Sequence, residues 1–211
     1  MVGTLFKFAQ TQRITICIPR LFGEKQREHF SEKGVKENIK EIKDNEEGRG
    51  GGYMNVLVSM CLLGTYCRYS GERKEDAGVL SLLKKEGLTL IPVCPEQLGG
   101  LPTPRLPAEQ KDGRVFDKGG TDRTEEFEKG AREVLRLAKL YGCKAAVLKE
   151  RSPSCGSNVV YDGSFGGVRV PGDGVCAGLL KRNGIAVFGE SETKELLRFL
   201  EETGQEETGA L

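Results

Sequence analysis

Four short apolar runs, each followed by a segment of different rhythm, dominate the chain from Met54 onward. "NVLVSM" (55–60), "LTLIPVC" (88–94), "KAAVLK" (144–149) and "IAVFG" (185–189) carry β-branched residues and are bounded by glycines or turns. Each reads as a strand. Between and after them, 75–87, 121–142, 174–184 and 192–202 have helical apolar spacing. The segment 121–142 is the strongest helix: Thr121 or Asp122 caps it, Glu125 and Glu126 fill its first turn, and Gly142 closes it. Strands that are apolar throughout and alternate with helices predict an α/β fold. The expectation is a single Rossmann-like domain, with a parallel sheet of about four strands and helices on both faces.

In such a sheet, ligands bind beyond the carboxyl ends of the strands. Reactive groups occupy those ends here. Cys61 follows the first run, Cys94 ends the second, Ser152, Ser154 and Cys155 follow the third in "LKERSPSCGS", and Glu190 follows the fourth. A cysteine used only for packing belongs inside a strand as a small hydrophobe; Cys155 sits in a polar turn instead. The loop "PVCPEQLGGLPTPR" (92–105) is stiffened by prolines and given unusual backbone freedom at Gly99–Gly100. Glu96 stands two residues after Cys94 and reads as an acid or base of the same site. Arg105 either binds an anion or pairs with a carboxylate. The glycine-rich stretch 161–175 reads as a hairpin-like excursion, without P-loop spacing.

Composition narrows the chemistry. There is one histidine, His29, in a polar N-terminal region, which argues against histidine-based zinc sites and Ser-His or Cys-His catalysis. Seven cysteines is an odd number, and the start does not read as a secretory signal. A reducing cytoplasm is expected, where cysteines serve as ligands, catalytic groups or core filler. Cys143 and Cys176 read as core. No apolar run approaches the roughly 18 residues of a membrane span. A net charge of +1 implies no broad attraction to nucleic acid or membrane.

Three cysteines from three strand ends, with no histidine among them, suggest sulfur-only ligation of zinc or of an iron–sulfur cluster; the paired CxxC spacing usual for structural zinc is absent. Three ligands leave one iron of a cubane open, and an open metal position is where chemistry happens. Two other readings stand beside this one. One is a zinc-thiolate binding module without catalysis. The other is a hydrolase or transferase that works through a covalent Cys155 adduct.

"VSMCLLGTYCRYSG", "VCPEQLGGLPTPRLPAE", "GTDRTEEFEKGA", "VLKERSPSCGS" and "GVCAGLL" together resemble the thiouracil desulfidase (TudS-like) family. The resemblance covers roughly residues 54–200. It implies an α/β domain that holds a [4Fe-4S] cluster by three cysteines, carried here to Cys61, Cys94 and Cys155, with Cys67 in reserve. It also implies removal of sulfur, without net redox change, from a thiolated pyrimidine or similar small thio-compound. In that chemistry water activated by Glu96 attacks the ring carbon, Ser152 or Ser154 orients the substrate or donates a proton, and hydrosulfide leaves. Where the family has Ala before its first cysteine, this chain has Met60.

Residues 1–53 have no counterpart in that family. Their charged, glycine-ended composition reads as weakly ordered, with a short strand possible near Ile14–Ile18. The expected division is therefore 1–53 as an extension, 54–202 as the α/β domain and 203–211 as a flexible tail. The Glu-, Gly- and Arg-rich stretch "NEEGRGGGYM" resembles a translated ribosome-binding site, which makes Met54 the expected natural start. Mass spectrometry of the native N-terminus checks this: Met54 should be found first, and any peptide from residues 1–50 overturns it.

Overall fold

The computed structural model describes residues 54–208; the expectations for residues 1–53, His29 among them, lie outside these. In chain order the elements are β1 (Met54–Ser59), α1 (Ala77–Leu82), β2 (Leu88–Val93), α2 (Pro95–Leu98), β3 (Ala108–Lys111), β4 (Arg114–Asp117), α3 (Thr124–Leu140), β5 (Ala145–Leu148), β6 (Val159–Tyr161), β7 (Arg169–Pro171), α4 (Val175–Arg182), β8 (Ala186–Gly189) and α5 (Thr193–Thr208). A 3-10 turn, Met60–Leu63, follows β1 directly.

The four apolar runs form one sheet in the order β2-β1-β5-β8, and every pairing in it is parallel. Side chains alternate across a strand, and both faces here are apolar. Leu57, Ala146 and Leu148 face a core shared with Ala131, Val134 and Ala138 of α3 and Cys176, Ala177 and Leu180 of α4. Val56, Val58, Ala145 and Val147 face a second core, shared with Val79 and Leu82 of α1 and Leu196 and Leu200 of α5. Helices therefore cover both faces, as the unbroken apolar runs require. Cys143 and Cys176 are both buried in the first of these cores.

The ends of the helices differ from the sequence expectation in instructive ways. α1 stops at Leu82, because successive i→i+3 bonds (Leu83 N to Leu80 O, Lys84 N to Ser81 O) tighten its end. α3 begins after Arg123, with no side-chain cap from that residue. Asp122 still supplies an acceptor, its Oδ1 taking the Thr124 N–H at 2.9 Å. Gly142, in the left-handed region at φ 62°, closes the helix as expected. α5 runs on to Thr208, beyond the expected end at 202; Thr203 does not stop it, its hydroxyl bonding back to Phe199 O at 2.9 Å.

Two antiparallel hairpins stand outside the sheet, β3–β4 and β6–β7. The second occupies the expected excursion. The first was not foreseen in sequence, although Asp112–Gly113, both at positive φ, is a hairpin-turn signal.

One contact fixes the loop that carries Cys94 and Glu96. Helices α2 and α3 touch backbone to backbone at two glycines. A Cβ on Gly130 would lie 1.8 Å from Pro95 O, and one on Gly99 would lie 2.0 Å from Glu126 O. Ala is a better helix former than Gly by about 1 kcal/mol, yet Gly130→Ala is expected to lower the melting temperature, because rigid backbone cannot yield. An unchanged or raised melting temperature would refute this close approach.

Candidate active site

The parallel register aligns the strand ends. Ser59 of β1 pairs with Val93 of β2, and Val58 pairs with Val147 of β5. The residues that follow these strands therefore emerge together. They line a cavity of about 480 Å³ that includes Cys61, Cys67, Cys94, Glu96, Ser152 and Cys155. The four thiols are 8, 1, 9 and 6 % exposed in chain order.

Three of these sulfurs form a tight set. The Cys67 thiol is hydrogen-bonded to both Cys61 and Cys94, which pushes its own pKa far up. That contact draws Cys61 below the usual thiol range, against the effect of burial and of Cys94, with Lys149 and Arg68 adding their positive charge. It also draws Cys94 down to about 7; burial and Glu96 oppose, while the Gln97 N–H and Arg105 assist. Cys155 differs: burial, then the nearby Cys176, push it up, and a hydrogen bond from Ser59 acts the other way. All six described cysteines are free thiols. Among the described residues, no three His, Cys, Asp or Glu side chains form a group that could hold one metal ion.

The carboxylate of the site is clamped. Arg105 donates from Nε at 2.7 Å to Oε2 of Glu96, and its Nη2 lies 2.5 Å from the same oxygen. The guanidinium also donates to Cys67 O at 3.0 Å and to Pro102 O at 3.1 Å. Its side chain is only 7 % exposed, so of the two readings left open for Arg105, the carboxylate pairing is the one found.

Ser152 and Ser154 part company. Ser152 lines the cavity, and its Oγ accepts the N–H groups of Ser154 and Cys155, each at 3.1 Å, which shapes the turn presenting Cys155. The structure does not bring Ser154 into the cavity. Its side chain is wholly buried and its Oγ has no hydrogen-bond partner. The backbone there serves α4 instead, Ser154 O accepting from Cys176 N at 2.9 Å and Ala177 N at 3.2 Å. Glu190 does not line the cavity either; it ion-pairs with Lys149, which does.

Sequence reasoning missed Ser59, Lys149, Glu109 and the aromatic residues Tyr161 and Phe165, all of which line the cavity. Position offered a signal for two of them: Ser59 ends β1 and Lys149 follows β5 directly. Ser59 is 2 % exposed, and its Oγ accepts the Lys149 N–H at 2.9 Å. It thus ties β1, β5 and the Cys155 sulfur together.

Parallel α/β architecture, with a cavity of thiols, a clamped carboxylate and a lysine at the carboxyl edge of the sheet, is the arrangement of an α/β enzyme. Residues 56–192 match the model of the 2-thiouracil desulfurase family, and the chain belongs to that family. It is 39 % identical, over 152 residues, to the uncharacterized protein YbbK of Bacillus subtilis (strain 168), covering 67 % of this chain and 99 % of that protein. It is also similar to a solved structure of the [4Fe-4S]-dependent thiouracil desulfidase TudS, with 44 % identity and a TM-score of 0.66; the match covers 70 % of this chain and 98 % of that one.

Ser59→Ala would leave the part-buried Lys149 N–H without its acceptor. It is expected to cost about 1–3 kcal/mol, read as a lower urea midpoint. A midpoint equal to that of the wild type would sink this account of the strand ends.

Proposed function

We propose that this chain is a [4Fe-4S]-dependent desulfidase that exchanges the sulfur of a thiolated pyrimidine for the oxygen of water. The overall change is C=S plus water to C=O plus hydrosulfide and a proton, with no electron gained or lost. The observation that carries this reading is the delivery of Cys61, Cys94 and Cys155, from three strand ends, to one cavity that also holds Glu96. The donor set suits the cofactor: thiolates, without a histidine, are what an iron–sulfur cluster takes. Cys61, Cys94 and Cys155 would hold it, with Cys67 in reserve. When bound, it supplies a Lewis-acidic iron that polarises the carbon–sulfur bond of the substrate.

The protein side of the chemistry falls to a few groups. Arg105 engages Oε2 of Glu96, which leaves Oε1 to take a proton from the attacking water. The Ser152 hydroxyl, already an acceptor for two backbone N–H groups, keeps its own proton to donate to the substrate. Lys149 sets a positive charge beside Cys61, where negative charge gathers as sulfur departs. Ser154 takes no part in this scheme, being sealed in the core. The desulfidase unit is residues 54–202, which encloses the family match at 56–192. The free thiols support a reducing, cytoplasmic setting. Among the described residues no helix is long and apolar enough to cross a membrane.

Anaerobic reconstitution with iron and sulfide, followed by conversion of 2-thiouracil to uracil, tests the reading. Wild-type protein should be brown and active, and Cys61→Ala should lose both iron and turnover. Glu96→Gln should keep its iron while kcat falls by about 10²–10⁴. A colourless, zinc-loaded protein, or activity that survives removal of iron, overturns the proposal.

A further inference from the structure

Part of the cavity wall comes from outside the sheet. The β6–β7 hairpin contributes Tyr161, Phe165 and Gly167, and β3 contributes Ala108 and Glu109. Phe165 lies in the left-handed region at φ 54°, between Gly163 at 87° and Gly167 at 79°. A bulky side chain in that region is an outlier. Such strain persists only where the surroundings impose it, and it clusters at ligand clamps. The imposing group is Glu109: its Oε2 accepts the Gly163 N–H at 3.0 Å and the Phe165 N–H at 2.9 Å. Glycine would adopt this backbone freely, and the loop uses glycine two residues to either side. At the strained position between them it carries a phenyl ring, half-buried and set against the cavity.

We propose that Phe165 is the face on which the flat heterocycle of the substrate stacks, and that Glu109 is the positioning residue that holds it there. The inference rests on the desulfidase reading and adds to it a determinant of specificity. A phenyl face takes a planar ring in offset or edge-on geometry without reading its polar edge, so those hydrogen bonds fall to other residues. It favours thiolated aromatic heterocycles over small aliphatic thioamides. Stacking of a base on an aromatic side chain contributes a factor of about 5 to 150 in affinity.

The test uses anaerobically purified holoprotein, with uracil as the binding probe in calorimetry and 2-thiouracil as the substrate. Phe165→Ala should weaken uracil binding by about 5- to 150-fold and raise KM for 2-thiouracil in parallel, with iron content unchanged. Phe165→Tyr should restore both to within about twofold, because the ring face is kept. Glu109→Ala should raise KM more than it lowers kcat, while Glu109→Gln, which retains an acceptor oxygen, should resemble the wild type. If the wild type desulfurates 2-thiouracil while Phe165→Ala binds and reacts like it, the stacking role alone is overturned. The same holds if Phe165→Tyr fails as badly as Phe165→Ala. A wild type that neither binds uracil nor desulfurates 2-thiouracil overturns the stacking role and the desulfidase reading together.

Discussion

In-register parallel pairing of β1 with its two neighbours decides where everything reactive in this molecule goes. With Ser59 opposite Val93 and Val58 opposite Val147, three chain segments leave the sheet at the same level. Cys61 lies two residues past β1, Cys94 one past β2, and Cys155 a short turn past β5. A slip of one residue would exchange the two faces of a strand. Here it would put Leu57 into the core of α1 and α5, and Val56 and Val58 into the core of α3 and α4. The two-sided apolar packing thus locks the register, and the register places the sulfurs. Ser59 adds a polar tie at the same level, joining the end of β1 to the start of the Cys155 loop.

The electrostatics of the cavity follow from what surrounds the thiols. Burial alone would push every one of them up, as it does for Cys143 and Cys176. Cys61 and Cys94 go down instead, first because Cys67 is hydrogen-bonded to them; nearby cations then assist at Cys61, and the Gln97 N–H followed by Arg105 at Cys94. The chain supplies those cations in restrained form. Lys149 is paired with Glu190 and Arg105 with Glu96, so each charge is oriented. The Arg105 pair is also a structural clamp, since the same guanidinium gathers the carbonyls of Cys67 and Pro102. Removing one partner of so buried a pair typically costs about 3–5 kcal/mol, because the other is left uncompensated. The two loops that frame the cavity therefore share one fastening, and the proposed base sits inside it.

The sequence disclosed the sheet and much of the sulfur set, and the reason is physical. Runs such as "NVLVSM" and "KAAVLK" are apolar on both faces, a pattern that few environments other than a covered parallel sheet tolerate. Strand ends in such a sheet are functional ground, so Cys61, Cys94, Glu96, Ser152 and Cys155 could be named from position and residue type. The rest depended on details that no periodicity carries. Ser152 and Ser154 look alike in "SPSCG", yet the turn sends one hydroxyl to the cavity and seals the other in the core. Lys149 reads as an ordinary strand-end lysine until Glu190 is seen across the sheet edge. The β3–β4 hairpin has strands of four residues with little apolar content, and only Asp112–Gly113 betrayed it. Phe165 lay in a glycine-rich stretch where its backbone strain could not be read.

The division between sheet and hairpins gives the site two kinds of wall. The sulfur side is built on strand ends locked by two cores and by the backbone contact of α2 with α3. It can hold ligands at fixed separations, which a rigid inorganic group demands. On the hairpin side, the Glu109 carboxylate accepts the N–H groups of Gly163 and Phe165 in the loop, and Asp173 Oδ1 accepts that of Asn158 at the foot of the hairpin. This side touches no part of the sheet's hydrogen-bond ladder. A change in that loop alters the shape of the cavity without disturbing the register that places Cys61 and Cys94. The two walls meet where Gln110 of β3 donates to Pro153 O at 2.9 Å and to Asp173 O at 3.0 Å, at the base of the turn that presents Cys155.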